Sequence, residues 1–169
     1  MRRFLVLGLV LVYGVCFGQE NNREKEAIET LNWINSKLTQ YQYESIEANV
    51  IQTCVFIKVE KLATDYYLVG AREQKTSDPW AFKLEFKIPI SKINSITFLE
   101  KKDNYWVEIK LKNNEKAIIN YTEKKFNDDT DRIQFMLSKN IDSENLQPRI
   151  IKAFHHLFSL YGNIKVEKF

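Results

Sequence analysis

The feature that most constrains the fold is the regular alternation of apolar and polar residues within residues 82–121. Residues 82–90 are apolar at every second position, and residues 105–111 and 117–121 repeat the pattern. A period of two places successive side chains on opposite faces of a strand, so each run predicts a strand with one buried face. Three such runs joined by short polar segments predict an antiparallel meander whose apolar face needs a cover.

Four further segments predict strands in the remainder of the chain. Residues 51–59 alternate Ile, Thr, Val, Ile and Val with other residues, residues 66–73 are rich in β-branched and aromatic residues, and residues 95–100 and 132–137 form shorter runs. Short polar connections of hairpin length separate several of these runs. Together the runs predict an antiparallel sheet of about seven strands, folded as a meander or bent barrel.

Two amphipathic segments predict helices at the ends of this sheet. Residues 23–38 carry apolar side chains at helical spacing, at Ala27, Ile28, Leu31, Ile34 and Leu38, with Trp33 at the edge of the stripe. The second stripe consists of Leu146, Ile150, Ala153, Phe154, Leu157, Phe158 and Tyr161, opposite Arg149, Lys152, His156 and Ser159. Pro148 fits a first helical turn, and Gly162 fits the residue after the last one. The second helix is the expected cover of the sheet, and the predicted class is α+β.

This order of elements resembles the pleckstrin-homology-like fold over residues 41–161. In that family the last helix plugs one end of a bent antiparallel barrel. The family's helix usually carries a Trp, for which Phe154 or Phe158 is the nearest substitute here, and Lys58, Lys61 and Arg72 loosely echo its basic cluster. The resemblance implies the shape and no ligand chemistry. The chain is also similar to small exported bacterial proteins of unknown function.

The N-terminus has the pattern of a secretory signal peptide. Arg2 and Arg3 precede an apolar stretch over residues 4–15, and the small residues Cys16 and Gly18 fit a cleavage site. We therefore predict a signal peptide over residues 1–18, a tail and helix over residues 19–40, and one β-rich domain over residues 41–169. The protein is then exported, either periplasmic or secreted. The alternative is a lipoprotein tethered to the cell envelope through Cys16.

Charge and cysteine content exclude several classes of partner and of stabilisation. The whole chain has 25 Lys and Arg against 22 Asp and Glu, and Arg2 and Arg3 belong to the predicted signal. Near neutrality argues against nucleic acid as a partner, because that surface demands clustered positive charge. Removal of Cys16 leaves Cys54 alone, so the mature chain would have no internal disulfide. No apolar run after the signal is long enough for a membrane-spanning helix.

No residue pattern predicts catalysis, a metal site or a cofactor. His155 and His156 are adjacent and diverge by about 100° on a helix, whereas ligand pairs use spacings of three or four residues. We expect His156 to be solvated and His155 to lie at the boundary. Cys54 within a strand is typical of an inert apolar thiol. The acidic segment 127–131 lacks the glycine and the glutamate of a calcium loop.

The aromatic residues are the strongest indication of a binding surface. Trp106 falls on the face that otherwise carries Glu108 and Lys110, and Trp80 follows a turn. We therefore predict Trp80 and Trp106 as binding residues of a non-catalytic module whose partner is an unknown protein or small ligand. A hydrolase with scattered acids and the Cys16-tethered structural protein are the alternatives. The sequence leaves the oligomeric state open.

Overall fold

The computed structural model describes residues 22–45, 50–76, 82–113, 115–121 and 130–162. The predicted signal peptide and Trp80 lie outside these ranges. The described part has α+β architecture, with helix α1 over residues 22–40, eight strands and helix α2, Leu146–Tyr161. The strands are β1 Tyr43–Ser45, β2 Val50–Leu62, β3 Asp65–Thr76, β4 Phe82–Pro89, β5 Ile93–Glu100, β6 Asn104–Leu111, β7 Ile118–Tyr121 and β8 Arg132–Ser138.

The strands form two antiparallel sheets. The order is β1-β2-β3-β4-β7 in the larger sheet and β5-β6-β8 in the smaller one. All seven predicted strands are confirmed as strands, but the single meander is wrong, because β4 pairs with β7 while β6 pairs with β5 and β8. Alternation specifies which face of a strand is buried and does not specify its partner. A 3-10 turn at Ile90–Lys92, with Ile90 buried, stands between β4 and the first strand of the second sheet.

The two sheets are connected at both ends of the gap between them. Isolated bridges pair Gln42 with Leu137 and Ala117 with Thr130, so the edge of β8 adjoins the larger sheet at two points. Within the described ranges the sheets do not close into a barrel, and this corrects the bent barrel expected from the order of elements. The gap that stays open is where the candidate site lies.

Helix α2 covers the core as the apolar stripe predicts. Leu146, Ile150, Phe154, Leu157 and Phe158 are buried and belong to the same apolar cluster as the inner faces of both sheets. The helix lies against β5 and the Ile90–Lys92 turn. Gly162 follows the last helical residue and donates its N–H to the Phe158 carbonyl at 2.8 Å. The covering role predicted for this helix is confirmed.

Helix α1 packs on the core over a narrower stripe than predicted. Ala27, Ile34 and Leu38 are buried, and Trp33 is half-buried at the edge. Ile28, which the sequence assigned to the stripe, is 52% exposed. Asn35 fixes the helix to the larger sheet, because its side-chain amide forms hydrogen bonds with the backbone of β2. The buried face is therefore set by this contact together with the apolar positions.

Gly70 marks a close approach within the larger sheet. It pairs with Phe86 across β3 and β4, and the Phe86 ring occupies the space where a side chain at position 70 would project. A Cβ there would also lie 2.9 Å from the Phe56 carbonyl oxygen. The glycine thus lets the buried Phe86 ring approach the backbone of β3 closely, and close approach is a recognised reason for glycine in a strand.

A polar cluster joins the end of α1 to the 3-10 turn Lys139–Glu144. Glu144 accepts hydrogen bonds from the Tyr41 hydroxyl and, at 3.2 Å, from Lys37 Nζ. The Tyr41 hydrogen bond, followed by the one from Lys37, lowers the pKa of Glu144 from its ordinary value of 4.5. Both donors favour the ionised carboxylate, so the folded state holds this acid's proton less tightly than the unfolded chain does.

We expect Glu144→Gln to make the free energy of unfolding depend less on pH in the acidic range. A carboxylate whose folded pKa is lowered adds stability above its unfolded pKa, and this stability is lost as pH falls through the folded pKa. Urea unfolding at a series of values from about pH 6 to about pH 3 should show the wild-type advantage over Glu144→Gln shrinking with pH. An advantage that stays constant over that range would contradict the assignment.

Candidate functional site

Trp106 lies on the outer face of the smaller sheet. Its cross-strand neighbours are Leu99 on β5 and Met136 on β8, and it is half-buried. Lys101 Nζ lies 5.8 Å from the centre of its ring, a cation–π distance. Because Trp80 is outside the described residues, the structure does not bring the two predicted binding residues together. Their role in binding stays a prediction.

A cavity of about 250 Å³ opens in the gap between the two sheets. The strands that bound it are β3, β4 and β7 of the larger sheet and β8 of the smaller one. Its lining combines polar and apolar side chains. The polar residues are Arg72, Thr130, Arg132 and Gln134, and the apolar residues are Leu84, Ile119 and Ile133. We refer to it as the inter-sheet cleft.

Arg72 occupies an inward-facing position on β3. It shares a strand face with Leu68 and Gly70, both buried, and its cross-strand partner on β4 is the buried Leu84. Its side chain is half-buried, and Nη1 donates a hydrogen bond to the backbone carbonyl of Gln134 on β8. An arginine therefore crosses the gap between the sheets at a position where the pattern of the strand calls for an apolar residue.

Arg132 stands at the rim of the cleft, held by two carboxylates. Its Nε lies 2.9 Å from Asp131 Oδ1, and its Nη1 lies 3.3 Å from Glu108 Oε2. The Arg132 hydrogen bond lowers the pKa of Asp131, and Asp131 in turn raises the pKa of Arg132. Glu108 also accepts from Gln134 Nε2 at 2.8 Å. Glu108 Oε2 thus accepts from two side chains of β8, and the Glu108 side chain is only 11% exposed.

A second, more open cavity of about 520 Å³ lies between α1 and α2. We call it the helix groove; its lining residues are Glu29, Thr30, Trp33, Arg149, Lys152, Ala153 and His156. The Arg149 guanidinium lies 5.6 Å from the centre of the Trp33 ring. His156 is partly exposed, as expected, but its Nε2 is also 3.1 Å from Glu26 Oε1. This groove is thus lined by groups that already pair with one another.

His155 and His156 do not assemble a metal centre with other described residues. His155 is half-buried at the boundary, as the sequence predicted, and its Nδ1 is buried. Among the described residues no three His, Cys, Asp or Glu side chains gather closely enough to hold a metal ion. Cys54 lies on β2, and the predicted acidic segment 127–131 falls largely outside the described ranges.

Comparison of this chain with protein-family models, curated proteins and solved structures finds no match. In the described ranges, no helix has both the length and the apolar character needed to cross a bilayer.

The sequence offered a partial signal for the inter-sheet cleft. Arg72 is the residue that breaks the apolar pattern of β3 on the face of Leu68 and Gly70, and such an interruption can be read from the printed chain. Its partner across the gap, Gln134 on β8, is 62 positions away. Local spacing carries no information about that contact, which explains why the cleft was missed.

Proposed function

We propose that this chain is an exported, non-catalytic binding module on a scaffold with the pleckstrin-homology-like order of elements, and that it binds a small ligand in the inter-sheet cleft. The observation that carries the proposal is the cleft itself, which the half-buried Arg72, the rim residue Arg132 and three buried apolar side chains line together. A concave site that combines apolar side chains with a few fixed polar groups is the usual form of a ligand site. Export follows from the predicted signal over residues 1–18.

The cleft supports a ligand-binding function better than the helix groove does. The cleft lies between two sheets that share one core, so its walls are held by strand pairing on both sides. The groove is the more open of the two cavities, so a ligand there would stay largely in contact with water. The cleft is also smaller than the roughly 300–1,000 Å³ of sites for drug-sized molecules, which favours a small ligand.

The two alternative functions, a hydrolase and an envelope tether, each require a specific chemical feature. A hydrolase would need an acid and a base directed at the substrate, whereas Asp131 and Glu108 both direct their carboxylates at Arg132. An envelope tether would require a lipid on Cys16. Intact-mass measurement of the exported protein separates a mature chain beginning at Gln19 from a lipidated chain.

Blocking the cleft tests the proposed function. The probes are benzoate, benzamide and benzylamine, which share one ring and differ in charge, and binding is followed by amide chemical shifts. We expect at least one probe to shift residues of β3, β7 and β8, and Thr130→Trp to abolish this binding because the indole fills the cleft. Thr30→Trp places the same bulk in the helix groove and should leave binding unchanged.

Comparison of Thr130→Trp with Thr30→Trp decides which of the two cavities binds the probe. Circular dichroism and urea unfolding establish that both variants fold before binding is compared. Loss of binding in Thr30→Trp with retention in Thr130→Trp would move the function to the helix groove. If none of the three probes shifts cleft residues of the folded wild-type protein, the proposed function fails.

A further inference from the structure

We propose that two copies of this chain associate through strand β5, with the two β5 strands antiparallel and Phe98 on the twofold axis. The smaller sheets of the two copies then form one continuous sheet across this axis. The inference goes beyond the inter-sheet cleft, which adjoins β8 at the opposite edge of the smaller sheet. It is carried by the open backbone of β5, by the symmetry of its residues, and by the apolar side chains accessible there.

The backbone of β5 is paired on one side only. The order of the smaller sheet is β5-β6-β8, so β6 is the one neighbour of β5 within it. Where the hairpin to β6 closes, the Lys101 N–H donates to the Asn104 carbonyl at 2.9 Å. Backbone bonds alternate along an antiparallel pair, so every second residue counted back from Lys101 faces β6 and the residues between them face outward. The outward residues are Ile96, Phe98 and Glu100.

This outward row is open within the part of the chain that the structure describes. No described residue forms a hydrogen bond with the backbone groups of these three residues. An unpaired edge is a template for another strand, and proteins commonly block such an edge with lysine, proline or a bulge. Strand β5 contains neither lysine nor proline, and its bulge lies at its start, between Ile93 and Ser95. The regular stretch that follows, residues 95–100, is therefore available for pairing.

The residues of this stretch suit pairing with a copy of themselves. With Phe98 on the axis, the two Phe98 residues face each other and Ile96 faces Glu100, and each such pair exchanges two N–H···O bonds. Thr97 then faces Leu99 on the outer side of the sheet. Glu100 is the only charged residue of β5, and this arrangement places it opposite an apolar residue. Parallel pairing in register would instead set the two Glu100 carboxylates side by side, so the charge of the strand favours the antiparallel twofold contact.

Apolar side chains are accessible on both faces of this edge. Leu99 is 39% exposed on the outer face, opposite Trp106 on β6. Phe98 is half-buried on the inner face, and its ring centre lies 6.2 Å from that of Tyr105. Association of two copies brings the two Phe98 rings together, and cross-strand aromatic pairs stabilise sheets. The contact therefore removes apolar surface from water while it satisfies the outward backbone groups.

Charges introduced on the outer face of β5 test this arrangement by sedimentation equilibrium. The wild-type chain should approach twice the monomer mass as its concentration is raised to about 1 mM. The double variant Thr97→Lys/Leu99→Lys sets like charges opposite each other across the axis, and Thr97→Glu/Leu99→Glu does the same with the opposite sign. Each should associate at least about tenfold more weakly than the wild type, and an equimolar mixture of the two should recover association. The control Ile118→Lys charges an exposed apolar residue of β7 and should leave association unchanged.

Hydrogen exchange gives a second readout of the same contact. The amides of Ile96, Phe98 and Glu100 should be protected in the associated wild type and should lose this protection on dilution, whereas the amides at positions 97 and 99 face β6 and should keep theirs. Circular dichroism establishes that the double variants fold, and if they do not, the exchange of the wild type on dilution still decides.

Two results overturn the inference and leave the proposed function of the cleft intact. One is a wild-type chain that stays monomeric at about 1 mM. The other is a dimer whose association the folded double variants do not weaken, because its contact then lies away from β5.

Discussion

Replacement of Phe154 by alanine should lower the free energy of unfolding by about 3–5 kcal/mol, as for other buried phenylalanines. Phe154 is fully buried on α2, and its ring centre lies 5.8 Å from that of Phe158. Truncation removes apolar contacts and leaves a cavity in the cluster that joins the helix to both sheets. Because α2 is the cover of that core, the loss should appear in the global transition measured by urea unfolding.

His156→Ala is the matched control on the same helix. The His156 side chain is 42% exposed, and its ion pair with Glu26 is open to solvent. An exposed pair contributes little, so we expect a change within about 0.5 kcal/mol. Small and equal losses from the two substitutions would mean that α2 does not cover the core, and the architecture described above would be wrong.

Asn35→Leu should lower the free energy of unfolding by about 2–3 kcal/mol. The substitution removes the hydrogen-bond partners of both the N–H and the carbonyl of Ile57, at the edge of a sheet. Asn35 Nδ2 donates to the Ile57 carbonyl and Asn35 Oδ1 accepts from the Ile57 N–H, each at 2.8 Å. The side-chain amide thus takes the place of a neighbouring strand for this part of β2. Leucine keeps the branching and the number of side-chain heavy atoms of asparagine, so the loss reports the hydrogen bonds more than the packing.

Hydrogen exchange locates the effect of this substitution. The Ile57 amide should exchange faster in Asn35→Leu, relative to amides in the smaller sheet, because its acceptor is gone. Ser36→Ala alters the neighbouring exposed position of α1 and should change neither stability nor exchange beyond about 0.5 kcal/mol. Unchanged exchange at Ile57 would contradict the assigned role of Asn35.

Much of the secondary structure could be predicted because it depends on local periodicity. The alternation within β4 and β6 identifies both as strands and identifies their buried faces, Leu84 and Phe86 in one and Val107 and Ile109 in the other. The same pattern suggested that these strands belong to one meander, which is wrong. Strand partners depend on contacts between distant segments, as when β4 pairs with β7 after the intervening strands form a second sheet.

The candidate site was less predictable than the fold. The sequence drew attention to Trp80 and Trp106 because aromatic residues among polar ones suggest a surface for binding. Arg72 was noted as part of a loose basic cluster, but its inward orientation follows from the register of β3 against β4. A charged residue in a strand suggests a solvent-exposed position when only its neighbours in sequence are considered. The second sheet, which lies opposite β3, makes Arg72 a half-buried hydrogen-bond donor instead.

The sequence by itself determined most of the elements of this protein and the buried side of most of them, because residues a few positions apart create the alternation of a strand and the stripe of a helix. The tertiary structure decided the division into two sheets, the contact of Asn35 with β2, and the cleft at which Arg72 meets Gln134. Each of these features joins residues more than twenty positions apart. Such contacts arise from the simultaneous packing of all the elements around one core, which no local pattern encodes.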